Sequence, residues 1–284
     1  MKLFLDSASL SEIKEAVSWG IIDGITTNPS LIKKAVDEIQ DEGADSDIES
    51  YIKKILATAG RMNPVSLEVA GLTAEEMFTQ GMRLYDLFDQ VAGNVVIKIP
   101  VSSVNSRGEG EPFDAIRAIK HLSEERVPVN ATLIFTPEQA LLAAKAGAEY
   151  VSPFAGRIDD RIRKEAGISF DKNDYFPAHG IMAPGKPDTP LHDHQIYSGV
   201  DLVSRIAMIF QEYEMECEII AASIRNPEQV REMAEVGAHI TTIPFKVLRQ
   251  VVAHPGTADG IDAFTADLVD DYTAILNTED DSVE

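Results

Sequence analysis

The stretch Val129-Asn130-Ala131-Thr132-Leu133-Ile134-Phe135-Thr136-Pro137-Glu138-Gln139 decides the fold, because it joins a strand to a helix. The run 129–135 is apolar and rich in branched side chains, as a buried strand requires. Thr136 is a good helix-capping residue and a proline follows it, which predicts a helix over 137–146. Ala146-Gly147-Ala148 then predicts the end of that helix immediately before the next apolar run.

This strand-and-helix unit repeats along the chain. Asn226-Pro227-Glu228-Gln229 and Val236-Gly237-Ala238 are a second helix start and stop of the same kind. The apolar runs predict strands at 3–6, 24–27, 65–69, 95–100, 129–135, 150–154, 218–224 and 240–244. Amphipathic patterns between them predict helices that include 9–19, 74–88, 112–124, 137–146, 200–213 and 227–236.

Eight βα units over about 250 residues predict an α/β protein whose residues 1–284 form a single (β/α)8 TIM barrel. A doubly wound open sheet is the alternative. It is disfavoured because Asp6-Ser7-Ala8-Ser9 follows the first strand, where a GxGxxG motif would stand. Two segments depart from the alternation. Residues 159–198 form a long insertion after the sixth strand, interpreted as a lid, and residues 253–284 form a C-terminal helical extension.

The net charge of −22 disfavours nucleic acid as a partner, because phosphates would be repelled over most of the surface. A small anionic substrate is still possible, since a few arginines dominate within the screening length of ~8–10 Å. The acidity fits a salt-rich cytoplasm or ordinary solubility. No apolar run approaches the ~20 residues of a membrane span, and the N-terminus turns acidic too early for a signal peptide. With Cys217 as the single cysteine, the sequence predicts a cytoplasmic protein.

Lys98 is the first candidate for chemistry. It lies within Val95-Val96-Ile97-Lys98-Ile99-Pro100, an otherwise apolar strand. Burial strips an ammonium group of its hydration, which favours the neutral, nucleophilic amine that can condense with a ketone. The alternative is a lysine whose stem crosses the strand while its head reaches solvent or a carboxylate.

Other polar residues fall inside or just after predicted strands, where the catalytic groups of a barrel gather. They are Asp6, Asn28, Glu68, Asn130, Thr132, Arg157, Ser223 and Arg225. Carboxylates can act as bases, amides and hydroxyls suit sugar hydroxyls or a water, and guanidinium groups suit phosphate. Each has a structural alternative: Asp6 and Asn28 could cap the helices that follow them, and Arg157 could pair with Asp159.

These residues belong to motifs that resemble the transaldolase and fructose-6-phosphate aldolase family of class I aldolases. The motifs are Leu3-Phe4-Leu5-Asp6, Gly24-Ile25-Thr26-Thr27-Asn28-Pro29-Ser30, Val96-Ile97-Lys98-Ile99-Pro100, Asn130-Ala131-Thr132-Leu133-Ile134-Phe135, Ser152-Pro153-Phe154-Ala155-Gly156-Arg157 and Ala222-Ser223-Ile224-Arg225-Asn226. The resemblance covers nearly the whole chain except 159–198.

The resemblance implies a Schiff-base mechanism without a metal or organic cofactor. Lys98 would form the imine with C2 of a ketose phosphate, Asp6 would act as acid and base, and Glu68 would shuttle protons through a water bound with Thr132. The remaining roles concern binding: hydroxyls by Asn28 and Asn130, the pocket shape by Ser152 and Phe154, and the phosphate by Arg157, Ser223 and Arg225.

The resemblance is closer to the transaldolase branch, because Glu68 stands where the aldolase branch carries glutamine. It implies transfer of a dihydroxyacetone unit between sugar phosphates in the pentose phosphate pathway. The alternatives are a fructose-6-phosphate aldolase, a specialised aldolase with an unusual sugar, and a noncatalytic barrel that binds a sugar phosphate. The C-terminal tract also resembles the extension that small family members pack against neighbouring subunits, which implies a ring-like homo-oligomer, a pentamer or decamer.

The insertion 159–198 departs from the usual shorter family pattern. It adds cationic and imidazole side chains that could contact a distal group of the substrate: Arg161, Arg163, Lys164, His179, Lys186, His192 and His194. His192 and His194 flank Asp193, but such a pair in a loop is weak support for a metal, so no metal site is predicted.

Overall fold

A computed structural model describes residues 1–41 and 47–276 of the protein. The chain divides into two compact units, Met1–Leu248 and Arg249–Glu284. Within the described residues, no helix is both long enough and apolar enough to cross a bilayer.

The first unit is a closed barrel of eight parallel strands. The strands are β1 Lys2–Asp6, β2 Gly24–Thr26, β3 Val65–Glu68, β4 Val95–Pro100, β5 Val129–Ile134, β6 Tyr150–Pro153, β9 Glu218–Ala221 and β10 Ile240–Pro244. Around the barrel they follow the order β1-β10-β9-β6-β5-β4-β3-β2. All eight predicted strands are confirmed and the predicted TIM barrel is correct. A small antiparallel hairpin of β7 Met182–Ala183 and β8 Lys186–Pro190 lies outside the barrel.

The helices of the first unit alternate with the barrel strands, and the six quoted predictions match the observed helices within a few residues. The helices are α1 Leu10–Ser18, α2 Pro29–Asp41, α3 Ile48–Ala59, α4 Ala74–Ala92, α5 Asp114–Glu124, α6 Pro137–Lys145, α7 Ala155–Glu165, α8 Gly199–Glu212 and α9 Pro227–Glu235, and α10 Phe245–Val251 crosses the boundary between the units. The predicted cap is present at α6, where the Thr136 side chain accepts from the Gln139 N–H and Gln139 bonds back.

The start of the predicted insertion differs from the expectation. Residues 159–165 are not an irregular interruption, because they continue helix α7. The sequence hides this helix since its buried apolar side chains, Ile158 and Ile162, stand among charged residues. The irregular part is therefore 166–198, which contains the hairpin and ends at the Ser198 cap of α8.

The barrel interior has an apolar floor. Phe4, Val96, Tyr150, Ile220 and Ile240 form a buried cluster contributed by five strands. Gly24 leaves room for the Phe4 ring of this cluster, since a Cβ on Gly24 would lie 2.5 Å from that ring.

Polar side chains stand directly above this floor. Side chains two apart on a strand share a face, so Asp6 follows Phe4, Lys98 follows Val96, and Thr242 follows Ile240 on the inner face. In the same way Ser152 follows Tyr150. The alternation of the strands therefore places a polar layer over the apolar floor, at the carboxyl ends of the strands.

The second unit is helical over its described residues. It contains α11 Pro255–Ala266 and α12 Asp270–Leu276, so the predicted extension 253–284 is helical there, and 277–284 lie outside the described residues. Neither helix buries a residue. Large apolar side chains are exposed instead, among them Ile261, Phe264, Val269, Tyr272 and Ile275, with Phe264 exposed by 78%.

Candidate active site

A polar cavity of about 190 Å³ opens where the strands of the barrel end. Every barrel strand except β3 and β5 sends a residue at or near its carboxyl end into the lining. The lining residues are Asp6, Thr26, Asn28, Lys98, Ser152, Phe154, Arg157, Lys172, Ala222, Ser223, Ile224, Arg225, Thr242 and Pro244. The structure therefore brings eight of the eleven predicted site residues to one cavity.

Lys98 is buried at the wall of this cavity, with 5% of its surface exposed. Its ammonium group lies 3.1 Å from a carboxylate oxygen of Glu68 and donates to the carbonyl of Thr27, also at 3.1 Å. Glu68 and Lys98 are partners in the β3–β4 register, so the parallel sheet itself sets their pairing. The lysine is thus neither stretched to solvent nor buried without a partner.

The three predicted residues outside the cavity lining lie next to it. Glu68 contacts Lys98, and Asn130 is the register partner of Lys98 on β5. The Asn130 amide donates to Ser66 at 3.2 Å, and its carbonyl oxygen accepts from the Ser152 hydroxyl at 2.7 Å. Thr132 is fully buried, and its hydroxyl is without a hydrogen-bond partner in the described part of the chain.

Asp6 ends strand β1 and also lines the cavity. The Thr26 hydroxyl lies 2.9 Å from its carboxylate and 2.5 Å from the Thr242 hydroxyl. Burial raises the pKa of the Asp6 carboxyl, while Lys98 and the Thr26 hydrogen bond act in the opposite direction. Asp6 is therefore more easily protonated than an exposed aspartate, which suits a group that must both take up and give up a proton.

Two arginines form the cationic end of the cavity. Arg157 lies over the Phe154 ring, 4.9 Å from its centroid, and has no carboxylate partner among the described residues. Arg225 pairs with Asp160 at 3.1 Å, but its buried Nε atom has no partner in the same part of the chain. Guanidinium groups with free donors at a cavity suit a phosphate.

The backbone beside the arginines is tightly packed. Ser223 has a left-handed backbone with φ of 64°, and its carbonyl oxygen approaches Gly156. A Cβ on Gly156 would lie 2.1 Å from that oxygen and 2.9 Å from Nε of Arg225. Glycine at 156 is therefore required for this position of Ser223 and Arg225.

Three residues of the cavity had a purely structural role as the alternative, and only Asn28 takes that role. Asn28 does cap the following helix, since its side chain accepts from the Leu31 N–H at 3.0 Å, and it also lines the cavity. Asp6 is not the cap of α1, because Ser9 holds that position. Arg157 does not pair with Asp159, whose carboxylate accepts from the Gly199 N–H and the Gln229 amide.

Sequence reasoning missed three polar residues of the cavity. Thr26 and Thr242 lie inside predicted strands, where threonine is an ordinary residue and gives no signal. Lys172 lies in the insertion and was not among its candidate contacts. Two predicted contacts of the insertion with the substrate have partners within the protein instead. Arg161 pairs with Glu165 and Asp193, and the buried Arg163 donates to the carbonyls of Asp174 and Tyr175.

The fold and the cavity together define a (β/α)8 barrel protein with a buried lysine–glutamate pair beside a polar cavity and two arginines at its edge. Residues 3–283 match the model of the family described as Transaldolase/Fructose-6-phosphate aldolase. The chain belongs to this family of aldolase and transaldolase enzymes.

Individual relatives agree with the family match. The chain is 41% identical over 267 residues to a probable transaldolase of Chlorobaculum parvum, covering 94% of this chain and 97% of the relative. It is 39% identical to a probable transaldolase of Aquifex aeolicus, with 94% and 96% covered. A probable transaldolase of Chlorobium phaeobacteroides is 40% identical over 282 residues, 99% of this chain and all of the relative.

Proposed function

We propose that the protein is a transaldolase, which transfers a dihydroxyacetone unit from a ketose phosphate to an aldose phosphate in the pentose phosphate pathway. Sedoheptulose 7-phosphate and fructose 6-phosphate are the proposed donors. The observation that supports this is the buried Lys98, paired with Glu68 beside a polar cavity that Arg157 and Arg225 border. The names of the relatives support the same activity.

The reaction begins with imine formation at Lys98. Glu68, 3.1 Å away, takes the proton that the ammonium must lose before it can attack. The amine then adds to C2 of the ketose, and the resulting carbinolamine loses water to give the imine. The hydroxyl of Thr132, buried two residues after Asn130 on β5 and without a partner in the described residues, can hold that water.

The imine allows the C3–C4 bond to break. Asp6 removes the proton of the C4 hydroxyl, the aldose phosphate leaves, and the bonding electrons enter the C2–C3 enamine. The enamine then attacks the carbonyl carbon of the acceptor, and Asp6 returns a proton to the new hydroxyl. Water hydrolyses the final imine and releases the new ketose phosphate.

The remaining cavity residues hold the substrate. Asn28, Asn130 and Ser152 offer donors and acceptors to the sugar hydroxyls, and the Phe154 ring shapes the wall. Arg157 and Arg225 offer charged donors to the phosphate, and Ser223 adds a hydroxyl beside them. A phosphate bound at this end directs the sugar carbons towards Lys98.

The resemblance favours transfer over free release, because Glu68 stands where the aldolase branch carries glutamine. Glu68 forms an ion pair with Lys98, which a glutamine at this position could not do. The alternative activity is a fructose-6-phosphate aldolase, in which water protonates the enamine and dihydroxyacetone leaves.

An assay with fructose 6-phosphate, with and without erythrose 4-phosphate, separates the two activities. We expect turnover that depends on the aldehyde acceptor. Dihydroxyacetone released equally fast without acceptor would show the aldolase instead.

Borohydride trapping tests the nucleophile. Reduction during turnover should attach the three-carbon unit to the peptide that contains Lys98, and Lys98→Met should abolish both the adduct and the activity. Lys145→Met changes a helix lysine outside the cavity and should keep both. An adduct mapped to any other lysine would contradict the role of Lys98, and this mapping uses the unmodified protein.

We also propose a homo-oligomer with ring symmetry, a pentamer or decamer. The exposed apolar side chains of α11 and α12 support it, because helices that bury nothing are stabilised by packing against a partner. Light scattering should give a mass of several subunits, and a monomer would overturn the proposal.

A further inference from the structure

A second cavity adjoins the first at its cationic end. It measures about 530 Å³ and is lined by residues of α7, of the connections that follow β5 and β9, and of the insertion. Arg157, Lys172 and Arg225 line both cavities. These three cations therefore stand where the two cavities meet, a place we call the cationic junction. Arg157 belongs to α7, Arg225 to the connection between β9 and α9, and Lys172 to the insertion.

The segment 170–176, which carries Lys172, is fixed to the barrel by Arg163 of α7. The buried guanidinium of Arg163 donates to the carbonyls of Asp174 and Tyr175 at 3.1 and 2.7 Å. It also lies between two rings of the segment, 5.0 Å from the centroid of Phe170 and 4.8 Å from that of Phe176. A single buried arginine thus holds both ends of the segment.

A second attachment leads to α9. The Tyr175 hydroxyl donates to a carboxylate oxygen of Glu232 at 2.5 Å, and the Asn226 amide lies 3.4 Å from the carbonyl of Asn173. Asn226 directly follows Arg225 and caps α9. The segment is therefore bonded to the same βα connection that carries the cavity arginine, which fixes the Lys172 backbone beside it.

The side chain of Lys172 is not used by the protein itself. It is exposed, and across 1–41 and 47–276 no hydrogen bond or ion pair involves it. An exposed lysine on a well-anchored backbone, at the edge of two cavities, is placed to meet a ligand.

The charges at this junction show which ligand fits. Arg225 is paired with Asp160, so that pair adds no net charge. Arg157 and Lys172 have no carboxylate partner in the described residues and leave two positive charges. A phosphate monoester carries ~1.5–2 negative charges at neutral pH, which these two cations match. Without Lys172, the charge at the junction would fall to about half of that of the phosphate.

We propose that Lys172 binds the phosphate of the substrate together with Arg157 and Arg225, and that the insertion thereby selects phosphorylated sugars. This rests on the proposed function, since it assigns a residue to the phosphate of the proposed donor. The role is one of binding, not of catalysis, because Lys98 belongs to the reacting end of the cavity. Lys172 strengthens binding of the phosphate in the ground state and in the transition state alike.

The test is Lys172→Gln, with kinetics on fructose 6-phosphate and calorimetry with inorganic phosphate. We expect KM and the dissociation constant of phosphate to rise roughly two- to fivefold, the range for one exposed charge pair, with kcat unchanged. Lys172→Arg, which keeps the charge, should restore most of the binding. Turnover of unphosphorylated fructose, where it is measurable, should not change.

Lys186→Gln is the matched control, because Lys186 is an exposed lysine of the same insertion and lines neither cavity. It should leave all the constants unchanged. Equal effects in both variants would show a general charge effect and overturn the proposal, as would an unchanged KM and phosphate affinity in Lys172→Gln. A protein that turns over no ketose phosphate, but binds phosphate in a Lys172-dependent way, would refute the proposed function and keep this inference.

Discussion

The ends of the barrel strands and the insertion 166–198 contribute to the same cavity by different means. At the strand ends each side chain is placed by the register of the sheet, as Lys98 is placed opposite Glu68 and Asn130. In the insertion, Lys172 is placed by a few long-range contacts of Arg163 and Tyr175. Lys98 is buried and paired with Glu68, and Asp6 is bonded to Thr26, whereas the insertion supplies an exposed charge.

Because their side chains are held differently, the two regions should respond differently to amino-acid substitution. A strand-end residue is held by backbone hydrogen bonds to its two neighbouring strands, so its geometry is rigid and suits bond-making steps. An exposed residue of the insertion lacks this support from the sheet. We therefore expect substitutions at strand ends to affect kcat and folding, and substitutions in the insertion to affect mainly substrate binding.

The largest effect is expected for Asp6→Asn. Loss of the acid and base should lower kcat by about 10²- to 10⁴-fold. The fold should persist, because burial disfavours the charged form of this carboxyl and asparagine removes that charge. Steady-state kinetics together with thermal unfolding would measure both effects.

Asp171→Asn is the corresponding change in the insertion, at an exposed aspartate that lines neither cavity, and it should leave kcat unchanged.

The pH dependence of kcat in the wild type tests the same role of Asp6. Asp6 acts as a base only when it is deprotonated, and burial raises its pKa. The rate should therefore fall, as the pH is lowered, at a pH above the usual pKa range of an aspartate. A profile that is flat down to pH 4 would remove Asp6 from this role.

A smaller effect is expected for Gly156→Ala. The added Cβ would lie 2.1 Å from the Ser223 carbonyl oxygen, so the backbone that carries Ser223 and Arg225 must shift. We expect a loss of about 3 kcal/mol in the free energy of unfolding, at the upper end for overpacking, with a higher KM for phosphorylated substrates. Urea unfolding and kinetics measure the two quantities.

Gly185→Asn is the control in the insertion. Gly185 has φ of 72° and nothing within 4 Å of its missing Cβ, and asparagine tolerates a left-handed backbone. It should cost well under about 1 kcal/mol. Similar losses in both variants would mean that the strand-end frame is no more rigid than the insertion.

The smallest effect concerns Asp159, which joins the two regions. Its buried carboxylate accepts from Gly199 at the end of the insertion and from Gln229 of α9, and burial raises its pKa to about 7. The folded state then binds the proton more tightly than the unfolded state, so this group favours folding at low pH. That contribution is lost as the pH rises through about 7.

Urea unfolding at pH 5 and pH 8 tests this sign. The fall in the free energy of unfolding between the two pH values should be larger in the wild type than in Asp159→Asn by on the order of 2 kcal/mol. Asp188→Asn, an exposed aspartate of the hairpin, should keep the wild-type dependence. Equal falls in wild type and Asp159→Asn would rule out a raised pKa at this position.

The barrel and most of the site could be predicted because they follow from short-range patterns. Apolar and polar residues alternate on the inner faces, as in Phe4 and Asp6 or Val96 and Lys98, and each strand ends near a capping residue. Since parallel strands end together, the polar residues that follow the alternation had to meet at one edge.

The insertion could not be predicted in the same way. Helix α7 has only two buried large apolar side chains, Ile158 and Ile162, so its periodicity is weak. Segment 170–176 has no regular structure, and Lys172 reaches the cavity through contacts with residues of α7 and α9 that are distant in the sequence. Thr26 and Thr242 were missed for a different reason, because a hydroxyl inside a strand looks the same whether it faces a site or a helix.

On the proposed function, we expect the cationic junction to affect how fast a sugar phosphate arrives as well. The protein as a whole carries a net charge of −22, so a sugar phosphate at long range is repelled. Within a Debye length of ~8 Å, we expect Arg157 and Lys172 to attract it instead. Added salt first screens the long-range repulsion and only later the short-range attraction. The association rate constant should therefore pass through a maximum as ionic strength increases, unlike the steady decrease of an enzyme whose whole surface attracts its substrate.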